Sequence, residues 1–381
     1  IFMLKNKIYN YLTVEIIKNF VIVLFTFSAI AWVVRAVNFL DLMVEDGYNS
    51  SIYFKYSILN ITAIVTRFIP LAFLLSLTIS IIKFERQKEL IILWTFGLNK
   101  IKITNIFLLI AFGVTLLQLI LSLFVNPYLL NKSRSLLKNS EELQINSILR
   151  SNDFSDTFKG LTFYIERKNT NKELINIFIK DTAGNLSTVL DKVGKSQDTT
   201  IFAKKGFISK KKLILFDGVL QVANKENEFK NIKFEKTELS LINLATRTII
   251  QPKIQETSSR TLLNCVFNRN NNLNLNNCVK GDYQRESVQT LSRRIGEPLY
   301  IPLISIITSF LLIYKKEKKF IFLKKYILFS LSFLMLVLAQ ILLKYTGFSY
   351  VTAASYFAFP VITSILFYTY LRKKMHSEKV L

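Results

Sequence analysis

Residues 103–125 read ITNIFLLIAFGVTLLQLILSLFV, an unbroken stretch from Ile103 to Val125 with no charged side chain. A helix that crosses the hydrocarbon core of a bilayer needs roughly 20 such residues, and a soluble domain seldom carries so long a run. Two similar runs precede it, about 16–34 (Ile16 to Val34) and about 58–82 (Ile58 to Ile82). Three more follow a long polar stretch, at about 299–314, 326–344 and 352–371. The fourth run is short and is lengthened by Ile295 and the entry Pro298-Leu299-Tyr300. The chain therefore reads as six transmembrane helices in a 3+3 arrangement. Its composition agrees: 51% of the 381 residues are hydrophobic and 32 are Phe.

The formal net charge of +24 has to be placed before it is interpreted. Lys and Arg gather at the ends of alternate apolar runs: Lys5 and Lys7; Lys83, Arg86, Lys88, Lys100 and Lys102; Lys315, Lys316, Lys318, Lys319, Lys324 and Lys325; Arg372, Lys373, Lys374 and Lys379. The other loops carry Asp41, Glu45 and Asp46, or Lys344 nearly alone. Basic loops stay in the cytoplasm, so both termini are expected there and the long middle segment in the periplasm. No basic stripe interleaved with aromatics occurs outside these flanks, which argues against nucleic acid as a partner. The first apolar run is too long for a signal-peptide core and no small-residue cleavage site follows it, so it reads as a retained span. The sequence leaves open whether Ile1-Phe2 or Met3 is the native start.

From about 140 to 290 the pattern changes. Apolar residues alternate at Leu161, Phe163 and Ile165, and short β-rich runs appear, such as Ile175 to Ile179. Leu213-Ile214-Leu215-Phe216, Asp217-Gly218 and Val219-Leu220-Gln221-Val222 read as two strands joined by a type I′ turn. Asp181 to Gly184 reads as a second turn. Several short strands with no convincing helix predict an antiparallel sandwich or jelly roll. The expected layout is 1–139 for helices one to three with a connector helix at about 85–97, and 140–264 for an inserted periplasmic jelly-roll-like β-domain. An Asn-rich linker at 265–290 and helices four to six with a basic tail at 291–381 complete it.

Candidate chemistry is sparse. Gly194-Lys195-Ser196 resembles the end of a phosphate-binding loop, but Val189 stands where the leading Gly belongs. With one His, His376 in the tail, and no hydrolase or metalloprotease signature, the chain is not expected to be an enzyme. Cys265 and Cys278 lack zinc-ligand spacing; they could form a disulfide in an oxidising compartment or be two unpaired loop thiols.

Glu85-Arg86-Gln87-Lys88-Glu89-Leu90 begins a stretch that continues through Ile91, Leu93, Trp94 and Phe96 to Gly97, which is placed as a helix C-cap. It reads either as a solvated connector or as a coupling helix seated in a cytoplasmic ATPase. Glu85 and Glu89, four apart, would share a helix face toward basic partner residues. Arg35 ends the first span, as a snorkelling anchor or as a contact to an anionic head group. Arg67, three residues before Pro70, lies inside the second run or at its interface. Lys132 and Arg134 follow Pro127 at similar depth. Together these four cations would suit a phosphorylated lipid.

The order of these features resembles the LptF/LptG family of lipopolysaccharide export permeases. Asn10-Tyr11-Leu12-Thr13-Val14-Glu15 is similar to the family's opening Arg-Tyr-Leu-x-x-Glu, with Asn10 for the Arg. Ile69-Pro70-Leu71 followed by Glu89, Leu90 and Gly97 resembles its second span and connector. Leu291-Ser292-Arg293-Arg294 and Pro298-Leu299-Tyr300 resemble its entry to span four, with Thr290 where the family tends to have Glu. Ser259-Arg260-Thr261-Leu262 looks more like the LptF branch than the LptG branch.

The resemblance implies an inner-membrane permease that works with an LptG-like second permease, an LptB-like ATPase dimer and an LptC-like periplasmic bridge. ATP and Mg would be bound by the ATPase, with no cofactor in this chain. Glu85, Arg86, Glu89, Leu90 and Gly97 would couple to the ATPase. Arg35, Arg67, Lys132 and Arg134 would meet lipopolysaccharide, and the inward strand faces would guide acyl chains. Two other readings remain at this stage. One is a permease of another lipid or lipoprotein exporter, against which the 3+3 split argues; the other is a non-transporting envelope scaffold or sensor.

Overall fold

The computed structural model describes residues 2–40, 43, 49–148, 151–158, 160–169, 173–182, 198–209, 212–223, 229–240, 253–267, 281–313 and 318–377. They form two compact units: Ile1–Val34, Leu59–Asn131 and Lys253–Leu381 in one, Arg35–Ile58 and Lys132–Pro252 in the other.

The first unit is helical. Six helices are long and apolar enough to cross a membrane: Lys7–Asn38, Ser50–Arg86, Lys100–Leu137, Gln284–Leu312, Leu323–Tyr345 and Tyr350–Ser377, termed spans one to six. Spans two and four are the inner ones, with 67% and 72% of their most apolar windows buried, against 11% for spans one and six. Leu12, Ile16 and Phe20 of span one belong to a cluster with Ile69, Phe73, Leu77, Ile81 and Phe84 of span two and Ile103 and Phe107 of span three. A second cluster joins Tyr300, Leu303 and Ile307 of span four to Ala339 and Leu343 of span five and Tyr356 of span six. At Gly296 an added Cβ would run into the ring of Tyr356, so glycine lets the two backbones approach there.

Prolines decide much of the packing between spans. Of the six in the chain, Pro252 lies outside the described residues; Pro70, Pro127, Pro298, Pro302 and Pro360 lie in the spans. A proline has no N–H for the carbonyl four residues earlier, and within a bilayer that carbonyl must find another donor. In each case a side chain from elsewhere in the fold faces it. The Thr66 carbonyl, freed by Pro70, faces Gln118 Nε2 of span three at 3.4 Å. The Leu123 carbonyl, freed by Pro127, accepts from Ser259 Oγ at 2.7 Å. The Arg294 carbonyl, freed by Pro298, accepts from Ser122 Oγ at 2.8 Å. The Pro298 carbonyl, out of reach of Pro302, accepts a backbone N–H in the 3-10 turn and also faces Thr115 Oγ1 at 3.4 Å, and the Tyr356 carbonyl, freed by Pro360, faces Tyr300 Oη at 3.5 Å. The two short contacts are strong hydrogen bonds; the three longer ones are weak.

The second unit carries six strands: β1 Phe154–Phe158, β2 Leu161–Lys168, β3 Glu173–Asp181, β4 Asp198–Ser209, β5 Lys212–Ala223 and β6 Phe229–Ser240. Each pairs antiparallel with the next in one sheet of order β1-β2-β3-β4-β5-β6. An inserted antiparallel β-domain is thus present, as a sequential meander; among the described residues no second sheet faces it.

Asp217-Gly218 is not the expected hairpin. β5 runs straight through it, pairing Phe216 with Lys205 and Gly218 with Ala203 in one register. A type I′ turn needs positive φ at both central residues. Asp217 has φ 50°, but Gly218 is not among the glycines with positive φ. The left-handed residue resets the alternation of side chains and leaves the register intact. Asn176 in β3 does the same at φ 51°. In both strands the buried positions then shift by one, from Leu213 and Leu215 to Leu220 and Val222, and from Leu174 to Ile177 and Ile179. Both phases contribute to one buried cluster. The second expected turn starts at Asp181, the last residue of β3, and its end at Gly184 lies outside the described residues.

Element boundaries differ from the sequence reading. The third helix continues through Ile148 before β1 begins at Phe154, so 140–148 are helical. A return helix occupies Ser259–Phe267, mostly in the interval read as β-domain, and the helix Gly281–Gly296 before Pro298 begins inside the interval read as a linker. Hydropathy marks where a helix meets lipid, and a polar helix can continue well past that point.

Candidate functional site

Span two ends at Arg86, and Gln87 and Lys88 close it by donating to the carbonyls of Lys83 and Glu85. Lys88 takes φ 59°, and a new helix, Glu89–Thr95, starts in a different direction. Its end is a Schellman closure: Leu98 N–H donates to the Leu93 carbonyl, Gly97 N–H to that of Trp94, and Gly97 supplies φ 75°. Leu93 and Leu98 meet in the buried cluster as that motif requires, joined by Leu90. Buried Leu90 and Leu93 thus pin one face of the connector helix to the bundle.

The other face is bare. Ile91 and Ile92 are 52% and 51% exposed and Phe96 is 77% exposed. Apolar side chains on this connector, outside the six spans, make a contiguous candidate for protein contact. The sequence reading emphasised the charged start of the stretch instead.

The two glutamates of that start have partners inside the chain. Tyr11 Oη of span one donates to Glu89 Oε1 at 3.2 Å. Lys83 pairs with Glu15, and Lys325 Nζ with Glu85 Oε2 at 2.8 Å. Glu85 and Glu89 do not share one helix face, because the left-handed Lys88 separates their helices. Glu85 belongs to span two and faces span five; Glu89 belongs to the connector and faces span one. Arg86 is exposed. Lys100 Nζ lies 5.6 Å from the centroid of the Trp94 ring, a cation–π contact across the Gly97 turn.

The basic residues read as lipid contacts divide between the two units: Arg67 in the helical one, Arg35, Lys132 and Arg134 in the other. Arg67 is exposed on span two and acts electrostatically, with Arg293, on Glu297 of span four. Glu297 Oε1 also accepts from Gln340 Nε2 of span five at 2.9 Å. Neither Arg293 nor Glu297 was singled out as a charged site in the sequence; both sit at the polar entry to span four, where apolar run length is the dominant signal. Cys265 is buried on the return helix, and Cys278 lies outside the described residues. Among the described residues no three His, Cys, Asp or Glu side chains group as a metal site.

Span four holds a further charged residue that the sequence reading used only as part of a motif. Arg294 is 6% exposed, and its guanidinium donates to Ser259 Oγ at 2.7 Å, the Gln255 carbonyl at 2.9 Å and the Thr257 carbonyl at 3.0 Å.

No curated protein matches the chain. The family model described as lipopolysaccharide export system permease LptF/LptG matches residues 10–374. That interval takes in the six spans except the first residues of span one and the last three of span six, the connector helix and the six described strands. This chain belongs to the LptF/LptG family of lipopolysaccharide export permeases, and is a multi-pass inner-membrane transport component rather than an enzyme.

Proposed function

We propose that the chain is the permease subunit of an ABC transporter that extracts lipopolysaccharide from the periplasmic leaflet and passes it to a periplasmic bridge. Its partners are an LptG-like permease, an LptB-like ATPase dimer that binds ATP and Mg, and an LptC-like bridge protein. Both termini and the connector helix face the cytoplasm, and the β-domain faces the periplasm. The connector carries the proposal: a helix pinned by Leu90 and Leu93, with Ile91, Ile92 and Phe96 exposed, is built to seat in a groove of a second protein.

Glu85, Arg86, Glu89 and Gly97 serve that docking indirectly. Glu85 ties the end of span two to span five, Glu89 ties the connector to span one, Gly97 closes the connector's end, and Arg86 is exposed to face the ATPase. Arg35, Arg67, Lys132 and Arg134 offer cations to lipid phosphates. Cys265 and Cys278 pair across the Asn-rich linker. Ser259-Arg260-Thr261-Leu262 favours the LptF position in the heterodimer.

Purification of the tagged chain after co-expression with candidate partners tests this reading. Stoichiometric recovery of an ATPase and a second six-span permease, with lipopolysaccharide bound, is expected. Recovery of the chain alone, under conditions that preserve a known transporter complex, would favour an envelope scaffold.

A further inference from the structure

Two of the proline-freed carbonyls lie beside each other and are closed by one circuit. Pro127 leaves the Leu123 carbonyl without its helical donor, within a π-helical segment, Leu121–Val125, where the backbone widens. Ser259 Oγ, on the first residue of the return helix, donates to that carbonyl at 2.7 Å. The same hydroxyl accepts from Arg294 Nη1 at 2.7 Å. The backbone carbonyl of Arg294, freed by Pro298, accepts in turn from Ser122 Oγ at 2.8 Å, on the residue next to Leu123. The ring runs from span three through the return segment to span four and back.

Arg294 is unusual as a buried cation. Its guanidinium donates to neutral oxygens: the Ser259 hydroxyl and the carbonyls of Gln255 and Thr257. A guanidinium presents donors in a rigid planar fork, so three acceptors on one short segment fix that segment's position and direction. Residues 253–267 carry the chain from the last strand back to span four. Hydrogen bonds to the Leu123 carbonyl and the Arg294 guanidinium tie this segment to spans three and four.

We propose that Ser259 and Arg294 are positioning residues that latch the return segment to spans three and four and transmit span movement to it during transport. The inference rests on the transporter reading above. The hydroxyl is the joint: it alone bonds to both the π-helical carbonyl and the guanidinium. The latch is indifferent to side-chain size at 259 provided the hydroxyl remains, and at 294 it depends on the fork rather than the charge.

The test uses the assembled transporter in nanodiscs, with genetically encoded spin labels at Leu263 on the return helix and Leu116 on span three, both exposed. It reads the label distance distribution and the lipopolysaccharide released per ATP hydrolysed. The intact chain gives a narrow distribution. Ser259→Ala broadens it and lowers release per ATP about tenfold, the scale of one strong buried hydrogen bond, while ATP hydrolysis continues. Ser259→Thr restores both readouts, and Arg294→Lys behaves like Ser259→Ala.

A narrow distribution and undiminished coupling in Ser259→Ala would overturn the latch. So would hydrolysis and release falling in equal proportion, with Ser259→Thr no better than Ser259→Ala. If the intact complex hydrolyses ATP without releasing lipid, the transporter reading fails; the distance readout on the same samples still decides the latch.

Discussion

Gln118 shows how one residue can be structural for a reason located in another span. Its amide faces the Thr66 carbonyl that Pro70 deprives of a donor, and it is 2% exposed. Gln118→Leu should cost about 1 kcal/mol, because intramembrane hydrogen bonds contribute modestly. Unfolding in mixed micelles with increasing denaturing detergent reads that loss, and the double variant Gln118→Leu with Pro70→Ala should recover much of it. Outside the spans, the Lys212 ammonium 3.1 Å from Glu238 holds its carboxyl below the usual carboxylate range. A depressed pKa gives a contribution present above the unfolded value and lost as pH falls through the folded one. Because the pair is exposed, Glu238→Gln should leave the melting temperature at neutral pH unchanged. Carboxyl NMR signals should place the Glu238 titration below that of an unpaired Glu.

At the scale of elements, the connector helix and β5 carry opposite lessons about left-handed residues. Gly97 closes the connector at φ 75°, and Gly97→Ala should loosen it by about 1 kcal/mol. The loss should appear as faster hydrogen exchange at the Leu98 amide. The double variant Ile92→Asp with Phe96→Asp should abolish recovery of an ATPase while insertion into the membrane continues, since both side chains already face outward. Pull-down through a tag on this chain measures it. In β5, Asp217 sits at φ 50° inside a continuous strand, so Asp217→Gly should be tolerated or stabilising, whereas the β-branched Asp217→Val should destabilise the sheet by about 1–2 kcal/mol. Denaturation of the β-domain followed by circular dichroism separates the two. The mistaken hairpin has the same source: Asp-Gly signals a left-handed residue, but the strands pairing on both sides decide whether it turns the chain or only resets the side-chain alternation.

For the whole molecule, the disulfide proposed between Cys265 and Cys278 would close a short loop next to the latch. Alkylation before and after reduction, followed by peptide mass analysis, should find both thiols blocked in the membrane-extracted protein and free after reduction. The six spans and the inserted β-domain were legible because each rests on a local quantity. An apolar run of bilayer length has no soluble alternative that satisfies its backbone so cheaply, and alternation with a period of two has one backbone that buries it. Family membership followed from the order of these segments and the short motifs between them. Sequence could also place Gly97 at a helix end, since only local backbone geometry was needed.

Tertiary structure decided the rest. Glu85 and Glu89 are four apart in sequence, but the turn at Lys88 gave them different partners, Lys325 and Tyr11, far along the chain. Arg294 read as one basic residue in a motif until Ser259, Gln255 and Thr257 surrounded it. The prolines were visible in the sequence as carbonyls that must lose a donor. Which side chain would replace each donor depended on which span lay beside it. Sequence fixes what each segment must satisfy within itself, because bilayer thickness and backbone hydrogen bonding act locally. Unmet demands are answered only by neighbours that packing brings within about 3 Å, the reach of a hydrogen bond.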